Sequence, residues 1–140
     1  FLAFPFENYI VNLTNNKQFN LERLPVKINS GFDYCIKHNI TNLSAILMDK
    51  IFPIEIRNMF EMNDNLCIVY LIFDFDDNDK MSSRFLLQQY NSDGDFVESM
   101  QISNDENGKI HYISYDKQSD DLLIFQKDNT NGWSVVRRKW

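Results

Sequence analysis

The stretch Asn63-Asp64-Asn65-Leu66-Cys67-Ile68-Val69-Tyr70-Leu71-Ile72-Phe73-Asp74-Phe75 opens on three turn-forming residues and then runs apolar from Leu66 to Phe73. Its branched and aromatic side chains suit a pleated surface better than a helix. Apolar residues occupy both alternating sets at its centre, so a strand from Leu66 to Phe75 is expected to be buried on two faces. This is the longest apolar block in the chain, and it is too short for the roughly eighteen residues of a spanning helix.

C-terminal to this block, strands and turns alternate. Asp76 to Ser83 reads as a polar loop and Arg84 to Tyr90 as a strand. Asn91-Ser92-Asp93-Gly94 is a hairpin turn, because Asp-Gly readily adopts the positive φ that tight turns need. Asp95 to Ile102 is the returning strand, and Asn107-Gly108 turns again. Ile110 to Tyr115 alternates, with Ile110, Tyr112 and Tyr115 set against His111 and Ser114. Lys117 to Asp120 turns, Asp121 to Lys127 is a strand, and Asp128 to Gly132 turns once more. Trp133 to Trp140 closes the chain, with Trp133, Val135 and Arg137 on one face and Val136 on the other.

N-terminal to the block, Asn8 to Thr14 places Tyr9, Val11 and Leu13 on one face. A turn at Asn15-Asn16-Lys17 leads to a strand carrying Phe19 and Leu21. Leu24 to Ile28 and Phe32 to Ile36 are short extended candidates. Asn42 to Met62 is ambiguous. Leu43, Ile46, Leu47 and Ile51 fit a helical stripe capped by Asn42, and Pro53 ends it or starts a second turn with Ile54 and Met59 inward. Ile54 and Ile56 equally fit a strand. At most one or two short helices are expected here. The expected fold class is all-β: antiparallel meander sheets of three or four strands, blade-like first and a sandwich second.

The 140 residues make a single β-rich domain or fragment that needs no metal or disulfide to fold. Alanine occurs only twice, while Asn occurs seventeen times and Ile fourteen. That bias favours strands, although an AT-rich genome produces the same one. Net charge is −6, with +1 in residues 1–60 and −7 in residues 61–140. An acidic chain is a poor match for a nucleic-acid backbone, so no nucleic-acid partner is expected. The chain starts at Phe1, which reads as a removed leader or a trimmed chain. Cys35 and Cys67 lack metal-ligand spacing and are read as one bridge or two small buried hydrophobes. Sequons occur at Asn12, Asn39 and Asn42, about as many as seventeen Asn give by chance.

Two stretches repeat. Asp64-Asn65-Leu66-Cys67-Ile68-Val69-Tyr70 followed by Arg84-Phe85-Leu86-Leu87 matches Asp120-Asp121-Leu122-Leu123-Ile124-Phe125 followed by Trp133-Ser134-Val135-Val136. The weak repeat spans 64–102 and 110–140. At these residues the chain resembles the blades of six-bladed β-propellers found among bacterial surface and periplasmic proteins. Tyr90-Asn91-Ser92-Asp93-Gly94-Asp95-Phe96 resembles a blade's Asp-Gly turn, and Ile113-Ser114-Tyr115-Asp116 with Asp121-Leu122-Leu123 resembles a first and second strand. The resemblance covers 64–140 and, loosely, 1–40, about two and a half blades. It implies a periplasmic or extracellular protein, self-association if the chain is a fragment, and no shared catalytic set to carry over.

Chemistry-bearing groups are sparse. Asp74, Asp76 and Asn78 have the first three spacings of a calcium loop, but Asp79 stands where Gly is needed and Phe85 where a bidentate Glu is needed. Asn91, Asp93 and Asp95 are explained by hairpin chemistry. His38 and His111 lack a partner at i+3 or i+4, Cys35 and His38 lack a third member, and no GxSxG, P-loop or GxGxxG occurs. Arg137-Arg138-Lys139 reads as a strand end. No catalytic, cofactor-binding or metal residue is assigned, and no cofactor. The expected function is a non-catalytic binding or scaffold module. The alternatives are a small acidic inhibitor with an acidic face drawn from 74–79 and 93–106, and a hydrolase or lyase that brings together Asp74, Asp76 or Asp116.

Overall fold

The computed structural model describes residues 1–3, 9–21, 37, 53–78, 80–104, 108–128, 130 and 132–140. The named elements are ten antiparallel strands in three sheets. The first sheet holds β1 (Leu2–Ala3), β2 (Tyr9–Asn12) and β3 (Lys17–Asn20). The central sheet is a meander of β4 (Ile54–Met62), β5 (Asn65–Phe75), β6 (Met81–Tyr90) and β7 (Phe96–Ser103). The last sheet holds β8 (Lys109–Asp116), β9 (Asp121–Asp128) and β10 (Gly132–Arg138), with β9 in the middle. The fold is therefore all-β and antiparallel, as the patterning implies. The extended candidates at 24–28 and 32–36 and the helical stripe at 42–52 lie outside the described residues.

The central sheet is covered on both faces. On its back, Leu66, Ile68, Tyr70 and Ile72 of β5 pack with Ile10, Phe19 and Leu21 of the first sheet and its flank. On its front, Cys67 and Val69 of β5, with Phe85, Leu87 and Ile102, pack against Ile110, Ile113, Leu122 and Ile124 of the last sheet. Fully burying each such aliphatic side chain stabilises the fold by roughly 1.5–3 kcal/mol, so the double apolar set of β5 is what holds three layers together. In β2, Ile10 is the residue turned inward, which leaves Tyr9, Val11 and Leu13 on the outer face.

Bulges govern the facing of the flanking strands. In β4 the register slips between Ile56 and Asn58. Ile54, Ile56 and Met59 thus face the back, while Phe60 and Met62 face the front. The 54–62 segment is a strand; one inserted residue gives its apolar positions a spacing of two then three, which mimics a helical stripe. In β8 the register slips between Ile110 and Tyr112. This corrects the expected inward set: Ile113 takes the buried position and Tyr112 turns out to solvent. The loop expected at 76–83 is shorter, because Ser82 and Ser83 pair with Asp74 and Phe73. Their hydroxyls sit at a wet strand end, where polarity does not oppose pairing.

Turns follow the Asn, Asp and Gly positions. Asn63, Asp64 and Asp120 take positive φ at the β4–β5 and β8–β9 turns. Asn91 organises the β6–β7 turn by accepting hydrogen bonds at Oδ1 from the Asp93 and Asp95 amides. Gly94, at φ 87°, lies under the Phe19 ring, so a side chain there would collide with the first sheet.

Candidate interaction surface

The carboxylates singled out in the sequence are spread over the molecule. Asp74, near the end of β5, pairs with Arg84 (Oδ2 to Nε, 2.7 Å), and Arg84 also donates to Gln101 Oε1 at 2.9 Å. Asp76 accepts from the amides of Asn78 and Lys80 and closes its own turn. Asp116 lies at the β8–β9 turn, which borders the β4–β5 turn at the opposite end of the stack: Tyr115 stacks on Phe60 at 5.8 Å. Asp116 is therefore not brought to Asp74 and Asp76. The Asp93–Asp95 turn also lies at the far end of the central sheet from Asp74, since Leu66 pairs with Tyr90 and Asp74 with Ser82. Asp93 forms an ion pair with Lys17 of the first sheet at 3.1 Å. Among the described residues no three His, Cys, Asp or Glu side chains are grouped to hold a metal ion.

Cys67 is a free thiol inside the front-face core, and burial pushes its pKa well up, as it also does the Tyr70 phenol, next to which Tyr90 adds to the effect. Cys35, His38, Asn39 and Asn42 lie outside the described residues. Asn12 ends β2 and accepts from the Thr14 amide. His111 is exposed and its ring lies 4.8 Å from that of Trp133. A polar groove of about 440 Å³ is lined by Asp74, Ser82, Ser83, Arg84, Asn104 and Lys109, among others. Of its lining, Asn104 is committed to the fold: Nδ2 donates to the Ser83 carbonyl and Oδ1 accepts from the Ile110 amide.

The basic C-terminal cluster fastens β10 to the β8–β9 turn. Lys139 pairs with Asp121 at 2.9 Å and donates to the carbonyls of Ser119 and Asp120. Arg137 pairs with Asp116 at 3.3 Å and Asp121 at 3.6 Å. The Lys139 ammonium holds the Asp121 carboxyl below its ordinary pKa. The Ser119 hydroxyl and then the Gln118 amide do the same for Asp116. Tyr115, donating to Asp120 at 2.8 Å, has its pKa raised.

One surface stands apart from these local arrangements. The front of the last sheet, the side turned away from the central sheet, carries Tyr112, Leu123, Phe125, Trp133 and Val135. Pairing of Tyr112 with Phe125 and of Phe125 with Val135 makes them neighbours across three strands. Trp133 is 62% exposed, Val135 51% and Tyr112 43%, with Tyr112 and Phe125 rings 5.8 Å apart. Lys127 and Arg137 flank the patch on the same face, each opposite an apolar cross-strand neighbour, Trp133 and Leu123. An apolar cluster with a charged border is the makeup of a protein-docking surface. Composition alone does not reveal it, because Leu123 and Phe125 look like the core residues Leu122 and Ile124 beside them; only the strand's facing separates the two sets.

Compared with protein-family models, with curated proteins and with solved structures, the chain matches none. No helix among the described residues is long and apolar enough to cross a membrane, which leaves membrane-spanning strands unaddressed.

Proposed function

We propose that the chain is a non-catalytic binding or scaffold module of β-propeller-like type, which takes a protein partner on the front of the β8–β10 sheet. The observation that carries this reading is the row Tyr112, Phe125, Val135 and Trp133, three of them exposed and Phe125 partly so, on a sheet whose β8 and β9 strands turn Ile110, Ile113, Leu122 and Ile124 into the core on the other face. The stacked meander sheets are compatible with blades. The charge of −6 argues against a nucleic acid as the partner.

The test uses the purified chain alone, across a range of concentrations, by sedimentation velocity. An uncovered apolar face should give concentration-dependent association, abolished in Trp133→Ser/Val135→Ser with the urea midpoint unchanged. A chain that sediments as a monomer throughout, or one whose association survives the double substitution, overturns the reading.

A further inference from the structure

The central and last sheets are copies of one unit at a level that sequence alone does not reach. The bulge of β4 falls after Ile56, opposite Tyr70; that of β8 falls after Ile110, opposite Gln126. Tyr70 and Gln126 occupy equivalent places in the repeat that starts at Asp64 and Asp120, and both of those aspartates take positive φ, 62° and 55°. Strand pairing also sets the third strand of the unit. Val69 pairs with Leu87 and Phe125 with Val135; Leu71 pairs with Phe85 and Lys127 with Trp133. Phe85 therefore corresponds to Trp133 rather than to Ser134, one residue from the alignment that the sequence suggests.

Facing is preserved by this equivalence. Leu66 and Ile68 face the preceding sheet, and so do their counterparts Leu122 and Ile124. Cys67, Val69, Phe85 and Leu87 face the following sheet and are covered by it. Their counterparts Leu123, Phe125, Trp133 and Val135 face the same way, but among the described residues no sheet lies in front of them: Trp133, beside the His111 ring, stays 62% exposed and Val135 51%.

Resting on the binding-module reading, we propose that the partner on this front face is a further antiparallel sheet of the same repeat, which presents branched aliphatic side chains as Ile110, Ile113, Leu122 and Ile124 present theirs to the central sheet. The interface between the central and last sheets is thereby continued by one more layer, about 10 Å farther along the stack. A helix or an unrelated protein surface on this face is the competing outcome.

The experiment supplies such a sheet to the whole chain. A second copy of residues 91–140 is appended after Trp140; by the equivalence above it begins with the β6–β7 type of turn and so adds a fourth strand before the new layer. Trp140 and the appended tryptophans are changed to Phe, which leaves Trp133 as the sole reporter. The extended chain should gain β signal in circular dichroism and, at concentrations below those at which it associates, show Trp133 emission shifted to the blue with acrylamide quenching reduced several-fold. Adding Val135→Lys in the original copy should restore quenching. The proposal is overturned if Trp133 stays as accessible as in the unextended chain, if Val135→Lys leaves the protection intact, or if the appended segment stays unfolded beside the face that should template it. An unextended chain that still associates through Trp133 and Val135 keeps the binding-module reading in those cases, so the two failures are separable.

Discussion

The central sheet and the last sheet share a bulge, a turn and a third-strand register, yet one is covered twice and the other once. The same residue types thus do different work. Leu87 is fully buried between layers, while its counterpart Val135 is half exposed. Burial in this fold is set by whether a sheet lies in front of a position and by whether its strand is an edge, as β10 is and β6 is not, and hydrophobicity of the residue itself reports neither.

The largest contrast is expected from truncating that pair. Leu87→Ala empties a site walled by β5, β7 and the last sheet, and should cost about 2–5 kcal/mol in urea denaturation. Val135→Ala trims a side chain that is already half exposed and should cost well under that, about 0.5 kcal/mol. If both cost the same, the front of the last sheet is occupied in solution and the comparison collapses.

Glycines sharpen the same contrast. Gly94 and Gly132 both take positive φ, 87° and 82°. A Cβ on Gly94 would sit 2.3 Å from the Phe19 ring, whereas nothing lies within 4 Å of one on Gly132. Gly132→Ala should cost the backbone penalty alone, about 1–2 kcal/mol. Gly94→Ala adds displacement of the first sheet, and should exceed Gly132→Ala by about 1 kcal/mol or more in thermal or urea unfolding. Equal effects would mean that Phe19 does not rest on this turn.

The pattern of what the sequence shows follows from these geometries. Turns at 63–65, 91–94 and 117–120 are legible because positive φ restricts the residue type. The strands read at 66–75, 84–90 and 121–127 are legible because each carries a run of adjacent apolar residues, Leu66 to Phe73, Phe85 to Leu87 and Leu122 to Phe125, between turn signals. Facing fails wherever a residue is inserted. Arg57 and His111 each add one residue to a strand, so Ile54-Ile56-Met59 mimics a helix and Tyr112 takes the outward place that Ile113 seemed to hold. Val97 does the same in β7, where Phe96 faces the back and Met100 and Ile102 the front. The exposed apolar row escapes the sequence for a related reason: Trp133 and Val135 alternate like buried residues, and only the place of β10 at the edge of a sheet with none in front of it marks them out.

The bulges also carry unequal loads. Asn58, just after the β4 bulge, donates from Nδ2 to the Ile113 carbonyl at 3.0 Å, while its Oδ1 accepts from the Met59 amide. It ties the central sheet to the last. Its counterpart Tyr112 makes only outward ring contact with Phe125. Asn58→Ala should cost about 1–2 kcal/mol, measured by urea denaturation, with faster hydrogen exchange at the β4–β8 contact. Tyr112→Ala should cost less than half of that. A larger effect at Tyr112 would place the closer interface on the front of the last sheet.

The smallest expected effect concerns how each third strand is held at its end. β6 runs into the Asn91-organised turn and is paired by β7. β10 is held at that end by Arg137 and Lys139 on Asp116 and Asp121. Both carboxyl pKa values are lowered in the fold. A lowered folded-state pKa contributes stability that is present above the unfolded carboxylate value and is lost as pH falls through the folded one. Acidification through that window should therefore loosen β10 before β6, read as earlier loss of amide protection at Arg137 and Arg138 than at Gln88 and Gln89. Lys139→Met removes the ammonium that does most to depress Asp121, so the Asp121 carboxyl should titrate upward by NMR while Asp116, governed first by Ser119, moves less. Because the Arg137 and Lys139 side chains of these pairs are exposed at the surface, the shift should shrink with added salt. An Asp121 midpoint that ignores both the substitution and the salt would show that β10 is held by its ladder to β9 alone.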